Sequence, residues 1–225
     1  MSKVSPLNLS AEQLRDIYQR MHHAYGPQNW WPADTPFEVM VGAILTQNTA
    51  WTNVEKAIVN LKQASLLNPR TIAESEHERV AEAIRPAGYF NVKTQRLKAF
   101  CSYLLDQGGE NALAARETAQ LRQELLAVHG IGPETADDVL LYAFDRPVFV
   151  IDAYTRRLLS RIGLITGDEP YDSLRTGIET ALGEDVQMFN QYHALIVQHA
   201  KVSCRNKAVC EGCCLTSICK YHNEL

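Results

Sequence analysis

Residues 121–144 read LRQELLAVHGIGPETADDVLLYAF, and they constrain the fold more than any other stretch of the chain. Two runs with helical spacing of apolar residues are separated only by His129-Gly130-Ile131-Gly132-Pro133. So short a connection forces the two helices back on each other. Glycine supplies the positive φ that such a turn needs, and proline suits the first position of the second helix. Ile131 is expected to plug the gap between the helices. The N–H groups around Gly130 and Gly132, with the start of the second helix, would then face outward as an anion site. A DNA phosphate suits such a site without regard to base sequence. A Gly-x-Gly turn serves equally well as a plain helix C-cap, so the turn alone leaves both roles open.

The rest of the chain is also patterned for helices. Ser10 with Gln13 forms a capping-box signature ahead of Leu14, Ile17 and Met21. Thr35-Pro36-Phe37-Glu38 opens a second helix, carrying Val41, Ile44 and Leu45. Further helices are expected over 51–62, from Ser75 to about Arg85, and over 93–105, 118–128, 134–144, 152–162, 171–182 and 187–202. The only strand-like run, Val148–Ile151, is short and leads straight into a helix. The expected class is all-α, with about ten short helices. A hydrophobic fraction of 46% provides for a core. No apolar run approaches the roughly 20 residues of a membrane span, and the N-terminus does not look like a signal peptide. A soluble, cytoplasmic monomer is expected.

Net charge is −4, which weighs against a nucleic-acid partner, but phosphate affinity depends on local charge. Arg85, Lys93, Arg96 and Lys98 fall within 85–100 with no acid between them, and Arg156, Arg157 and Arg161 recur later. Either run could face phosphates or be an ordinary solvated helix face. Five of the six cysteines lie between residues 204 and 219, with Cys101 alone. Such crowding points to a metal rather than a disulfide framework. The spacing Cys204-x5-Cys210-x2-Cys213-x5-Cys219 can wrap one centre, and by itself admits four-thiolate zinc as well as an iron–sulfur cluster. Cys214 is extra and leaves open which of the adjacent pair ligates.

Two further features carry possible chemistry. Asp152, in FVIDAYTRR, stands at a helix start about 20 residues beyond the Gly-x-Gly turn. It can be an N-cap, a carboxylate that stabilises a developing cation, or both. Trp30, Trp31 and Pro32 are followed by LTQNT and then Trp51. Tryptophans are usually core residues, but stacked indoles also recognise electron-poor, positively charged bases.

The hairpin, the loop after it and Asp152 together resemble the endonuclease III superfamily of helix-hairpin-helix DNA glycosylases. The stretch WWP…FE…GAILTQNTAW and the segment Arg85-Pro86-Ala87-Gly88-Tyr89-Phe90-Asn91-Val92-Lys93 are similar to its 3-methyladenine (methylpurine) DNA glycosylases. The resemblance runs over roughly residues 25–200. It implies a two-lobed all-α fold, with one lobe over 25–130 and the other from 1–24 and 131–225. It implies double-stranded DNA containing a damaged base as the partner, Asp152 as the catalytic carboxylate, and Trp30, Trp31, Pro32 and Trp51 as the base pocket. Gln47 would fill the space left by the flipped base. Cys204, Cys210, Cys213 and Cys219 would hold a [4Fe–4S] cluster, although the family pattern has six residues in the first gap rather than five. Bifunctional members carry a lysine where this chain has Glu134, and a carboxylate cannot form their Schiff base. Glu134 thus joins Gly130, Ile131 and Gly132 at the DNA backbone without a catalytic role, and monofunctional excision of an alkylated purine is expected. A glycosylase for damaged or mismatched pyrimidines, or a non-catalytic DNA-binding relative, are the alternatives. His193 is read as structural, with an active-site role as the alternative.

Overall fold

The computed structural model describes residues 7–224. In chain order its helices are α1 (Ala11–Tyr25), α2 (Pro36–Leu45), α3 (Trp51–Gln63), α4 (Pro69–Glu74), α5 (His77–Ala83) and α6 (Phe90–Asp106). There follow α7 (Glu110–Ala114), α8 (Thr118–Ala127), α9 (Pro133–Asp138), α10 (Ala153–Ile162), α11 (Tyr171–Leu182), α12 (Val186–Val202) and α13 (Lys220–Asn223). No strand occurs among the described residues, as the all-α expectation required. No helix among them is long and apolar enough to cross a membrane.

Contacts divide the chain into two units. One spans Trp31–Arg146, and the other combines the described residues up to Trp30 with those from Pro147 onward. The boundary falls later than the expected 25–130. The second hairpin helix α9 and the turn after it pack against α2, which keeps both halves of the hairpin in one unit. Residues 1–6 of the expected 1–24 segment lie outside the described residues.

In the 31–146 unit, α2 is the central helix. Every residue from Phe37 to Leu45 is buried, Glu38 included, as expected of a helix surrounded on all sides. The Thr35 hydroxyl accepts from the Glu38 N–H at 3.2 Å, and Pro36 occupies the first turn. Helices α4 and α5 pack on α6, and the 3-10 turn Arg85–Ala87 packs on α3. The hairpin pairs α8 with α9, and Ile131, 5% exposed, plugs it as expected. Between these helices Arg122 grips Asp137 with two parallel bonds, Nε to Oδ1 at 2.6 Å and Nη2 to Oδ2 at 3.1 Å. The Asp137 side chain is fully buried.

In the other unit α12 packs against α1 and α10, and α1 also meets α11. Tyr192 donates to the Leu14 carbonyl at 2.8 Å. Phe149 meets Phe189 and Tyr192 edge-on, at 5.4 and 5.6 Å between ring centroids. These rings anchor residues 148–151, the strand-like run. It is buried and forms no strand, because side chains take its backbone donors. The Phe149 N–H donates to Glu179 Oε1 at 2.9 Å and the Ile151 N–H to the Tyr171 hydroxyl at 3.3 Å.

Other expectations shift in instructive ways. The helix expected over 134–144 is regular only to Asp138 and continues as a π-helical turn over Val139–Ala143. Helix α6 starts at Phe90, not residue 93. Ser75 ends α4 rather than opening the next helix, which Glu76 precedes.

Removing one member of a buried ion pair strands the other charge and costs about 3–5 kcal/mol. Arg122→Met should therefore lower the urea midpoint sharply, and Arg122→Met with Asp137→Leu should recover most of the loss. At Gly130 the backbone has φ 84°, and an added Cβ would lie 2.2 Å from Arg96 Cγ. Gly130→Ala should cost more than about 1 kcal/mol in the same measurement.

Candidate functional site

The two lysines of the basic run at 85–100 turn inward. Lys93 is 1% exposed, and its ammonium donates to the Leu45 carbonyl at 2.8 Å, the Thr49 hydroxyl at 2.6 Å and the Ala87 carbonyl at 2.8 Å. Burial first, and the nearby Arg96 charge second, push the Lys93 amine down to about 8. Lys98 donates to the carbonyls of Ile72, Ala73 and Ser75 at the end of α4. Arg85 pairs with Glu82 and lies over the Phe90 ring. Within this run Arg85 remains exposed on the surface, Arg96 donates to the Gln47 amide oxygen, and Lys93 and Lys98 satisfy helix-end carbonyls. The later arginines behave alike. Arg156 donates to the Glu169 carbonyl at 2.8 Å, Arg157 to that of Cys204 at 2.8 Å, and Arg161 to those of Arg205 and Asn206 at 2.6 and 2.9 Å.

Gln47 occupies the loop after α2. Its amide nitrogen donates to the Gly130 carbonyl at 3.1 Å and the Thr135 hydroxyl at 2.9 Å, and its amide oxygen accepts from Arg96. Both ends of the amide are thus engaged with the hairpin. The next residue, Asn48, is exposed and left-handed at φ 53°. Tyr89, at the head of α6, is also left-handed at φ 44° and is 73% exposed. The sequence reading passed over both, although an aromatic beside Gly88 at a helix start was a visible signal. In the hairpin turn the Ile131 N–H donates back to the Val128 carbonyl at 3.1 Å. That donor is not among those facing outward. Glu134 is exposed in the first turn of α9.

The expected pocket residues fall on both sides of the boundary between the two units. Trp31 and Trp51 meet edge-on in the 31–146 unit, with centroids 5.1 Å apart. Tyr142 joins them at 5.1 Å from Trp31. Regular helical periodicity could not place Tyr142, because it lies on the π-helical turn, where an extra residue per turn rotates the side chains. The Trp31 indole rests on Gly42, where a Cβ would approach it to 3.1 Å. Pro32 is exposed beside it in sequence. Trp30 belongs to the other unit, where the Lys201 ammonium stands 5.7 Å from its ring centroid.

Asp152 is the N-cap of α10. Its Oδ1 accepts from the Thr155 N–H at 2.7 Å, and its Oδ2 lies 3.5 Å from His193 Nε2 on α12. Burial alone would raise this carboxyl. The His193 ring and the Thr155 N–H outweigh burial and hold it below the ordinary carboxylate range. The side chain thus presents a nearly buried carboxylate, hydrogen-bonded at Oδ1 and with the His193 ring beside Oδ2.

Cys204, Cys210, Cys213 and Cys219 line one small pocket, with Leu158, Ile162 and Leu215 among its apolar walls. Cys214 is absent from that lining and lies against Tyr25. Arg161 reaches Cys204 Sγ at 3.3 Å and His199 Nε2 approaches Cys213 Sγ at 3.9 Å. Among the described residues no three Cys, His, Asp or Glu side chains converge closely enough for a single metal ion.

The model of the HhH-GPD superfamily of base excision DNA repair proteins matches residues 41–182. A Methanocaldococcus jannaschii protein named provisionally as a DNA repair glycosylase is 46% identical over 211 residues, covering 92% of this chain and 96% of that one. Endonuclease III of Sulfolobus acidocaldarius is 28% identical, over 83% of this chain and 82% of its own length. Among solved structures, H. pylori 3-methyladenine DNA glycosylase (MagIII) bound to 1,N6-ethenoadenine superposes with a TM-score of 0.75 at 31% identity. That match covers 87% of this chain and 98% of the other. Endonuclease III from a DNA complex shares the fold at a TM-score of 0.82 and 20% identity, over 96% and 98% of the two chains. With a carboxylate-capped helix following a Gly-x-Gly hairpin, and a family model that spans both, the chain belongs to the HhH-GPD superfamily of base excision DNA repair proteins.

Proposed function

We propose that this chain is a monofunctional DNA glycosylase that releases an alkylated purine from double-stranded DNA, using Asp152 and water. The observation that carries this reading is the nearly buried Asp152 carboxylate, held in its charged form by His193 and Thr155. As the bond between C1′ and the purine nitrogen breaks, its electron pair leaves with the base and positive charge builds on the sugar. A fixed carboxylate opposes that charge. Water then adds at C1′ and gives its proton to the carboxylate. Glu134, at the position of the lyase lysine, supplies no amine for a covalent step.

The edge-to-face pair Trp31–Trp51, with Tyr142, offers π-surfaces that suit an electron-poor methylated purine. The likeness to the H. pylori 3-methyladenine DNA glycosylase supports that substrate class. The turn at Gly130 and Gly132 is assigned to a DNA phosphate. Gln47 is assigned to bracing that turn, since its amide is committed to it. Asn48 and Tyr89, the exposed left-handed tips, are assigned to the space the extruded base leaves. Protein acting on a base inside a duplex must fill or stabilise that gap.

The cysteine pocket fits a [4Fe–4S] cluster held by Cys204, Cys210, Cys213 and Cys219. The four thiols line one small pocket with apolar walls, and Arg161 directs a cationic donor at one of them. When bound, such a cluster is a redox-capable cross-link of the C-terminal loop. Base release is assigned to Asp152.

Incubation with DNA methylated by a simple alkylating agent should release free methylated purines. Release of a pyrimidine instead, or of no base, would replace the substrate assignment or the enzymatic one. Asp152→Asn should abolish release while leaving affinity for the same DNA within about twofold. Borohydride should trap no covalent complex on abasic DNA; efficient trapping would make the enzyme bifunctional.

A further inference from the structure

Asn48 and Tyr89 each hold a backbone conformation that non-glycine residues adopt at a cost. They stand on different loops, one after α2 and one before α6. Two side chains, Lys93 and Thr49, join the two loops. The Lys93 ammonium spends one proton on Leu45, the last carbonyl of α2, where the helix dipole favours a cation. It spends the second on the hydroxyl of Thr49, the residue after Asn48, and the third on the carbonyl of Ala87, two residues before Tyr89. Thr49 closes the triangle by donating its own proton to Ala87 at 2.5 Å. At 1% exposure, the ammonium has no room for competing water.

The geometry points to Lys93 as a positioning residue that fixes Asn48 and Tyr89 relative to one another, so that both can enter the duplex when the damaged base leaves it. This rests on the glycosylase reading above and adds a separable claim: Lys93 serves extrusion of the base, not cleavage of its bond. Extrusion costs unpairing and unstacking for a paired base and little for one already unpaired. A lysine that merely supported the core would affect both kinds of substrate alike. A three-proton donor is also specific to the ammonium, because a neutral amine has only two protons to give.

The test uses the full chain in single-turnover excision from one methylated strand, prepared in two ways. In one the strand is annealed to its complement. In the other it is annealed to a partner that leaves the methylated purines in an open bubble. Lys93→Met should slow release from the paired duplex by about tenfold or more, the scale of a lost buried charge-assisted bond. Release from the bubble should stay within about twofold of wild type. Equal slowing on both substrates, or none on the paired one, overturns the proposal. Thr49→Val removes the hydroxyl link while keeping the ammonium, and should give the same split at smaller size even if Lys93→Met folds poorly. Equal slowing on both substrates by Thr49→Val would also sink the idea. Adding Lys93→Met to Tyr89→Ala should cost less on the paired substrate than Lys93→Met costs alone, since contacts that act together are not additive. Fully additive losses count against it. Release from neither substrate by the wild-type protein would instead remove the glycosylase reading itself, and this inference with it.

Discussion

Helix ends must find partners for carbonyls that no longer have any within the helix, and this chain meets that demand at α2 and α4 with inward-turned lysines. Lys93 closes the end of α2, and Lys98 closes the end of α4. Because α2 is buried on all sides, the loop that follows it can emerge only where its last carbonyl is satisfied. The positions of Gln47, Asn48 and Thr49 follow from that point. Through Gln47 and Arg96 the same loop reaches the Gly130 turn. The hairpin, the loop after α2 and the head of α6 are therefore one mechanical assembly, although they are distant in sequence.

In the other unit α10 plays the comparable part. Its N-terminus is capped by the candidate carboxylate Asp152, and its middle and its last turn send Arg157 and Arg161 into the cysteine loop. One helix of ten residues, about 15 Å long at 1.5 Å per residue, thus ties the loop's backbone to the residue assigned to the chemistry. Arg161 and Arg157 also explain why a net acidic protein still carries a basic cluster there. Those charges serve carbonyl and thiol partners before they serve any ligand.

Local signals in the sequence are legible where they are self-sufficient, although Ser75 ends a helix that it was expected to open. The Ser10 and Thr35 caps, the Ile131 plug and the helical class needed no knowledge of neighbours. Asp152 could be placed at a helix start, and the structure puts it there as the N-cap; its pairing with His193 on α12 depends on tertiary packing and had no local signature. The direction of charged side chains was the least legible property. Lys93 and Lys98 look like a solvent-facing stripe in sequence, and only the arrival of α2 and α4 makes them inward donors, Lys93 buried and Lys98 half-buried. Gln47 and Asn48 show the same limit, since adjacent polar residues in one loop point to opposite fates. Tyr142 escaped notice because a π-helical turn breaks the periodicity on which its face would have been judged.

Gly42 sits under the Trp31 indole with no side chain of its own, and even a methyl group there would press on the ring. The depth at which the ring can settle is therefore decided by a missing atom. If a purine lies against Trp31, the tolerance of that seat for bulkier lesions is tuned from beneath, by a residue that never meets the DNA. Selectivity in such a pocket can drift through its floor while every surface presented to the base stays the same.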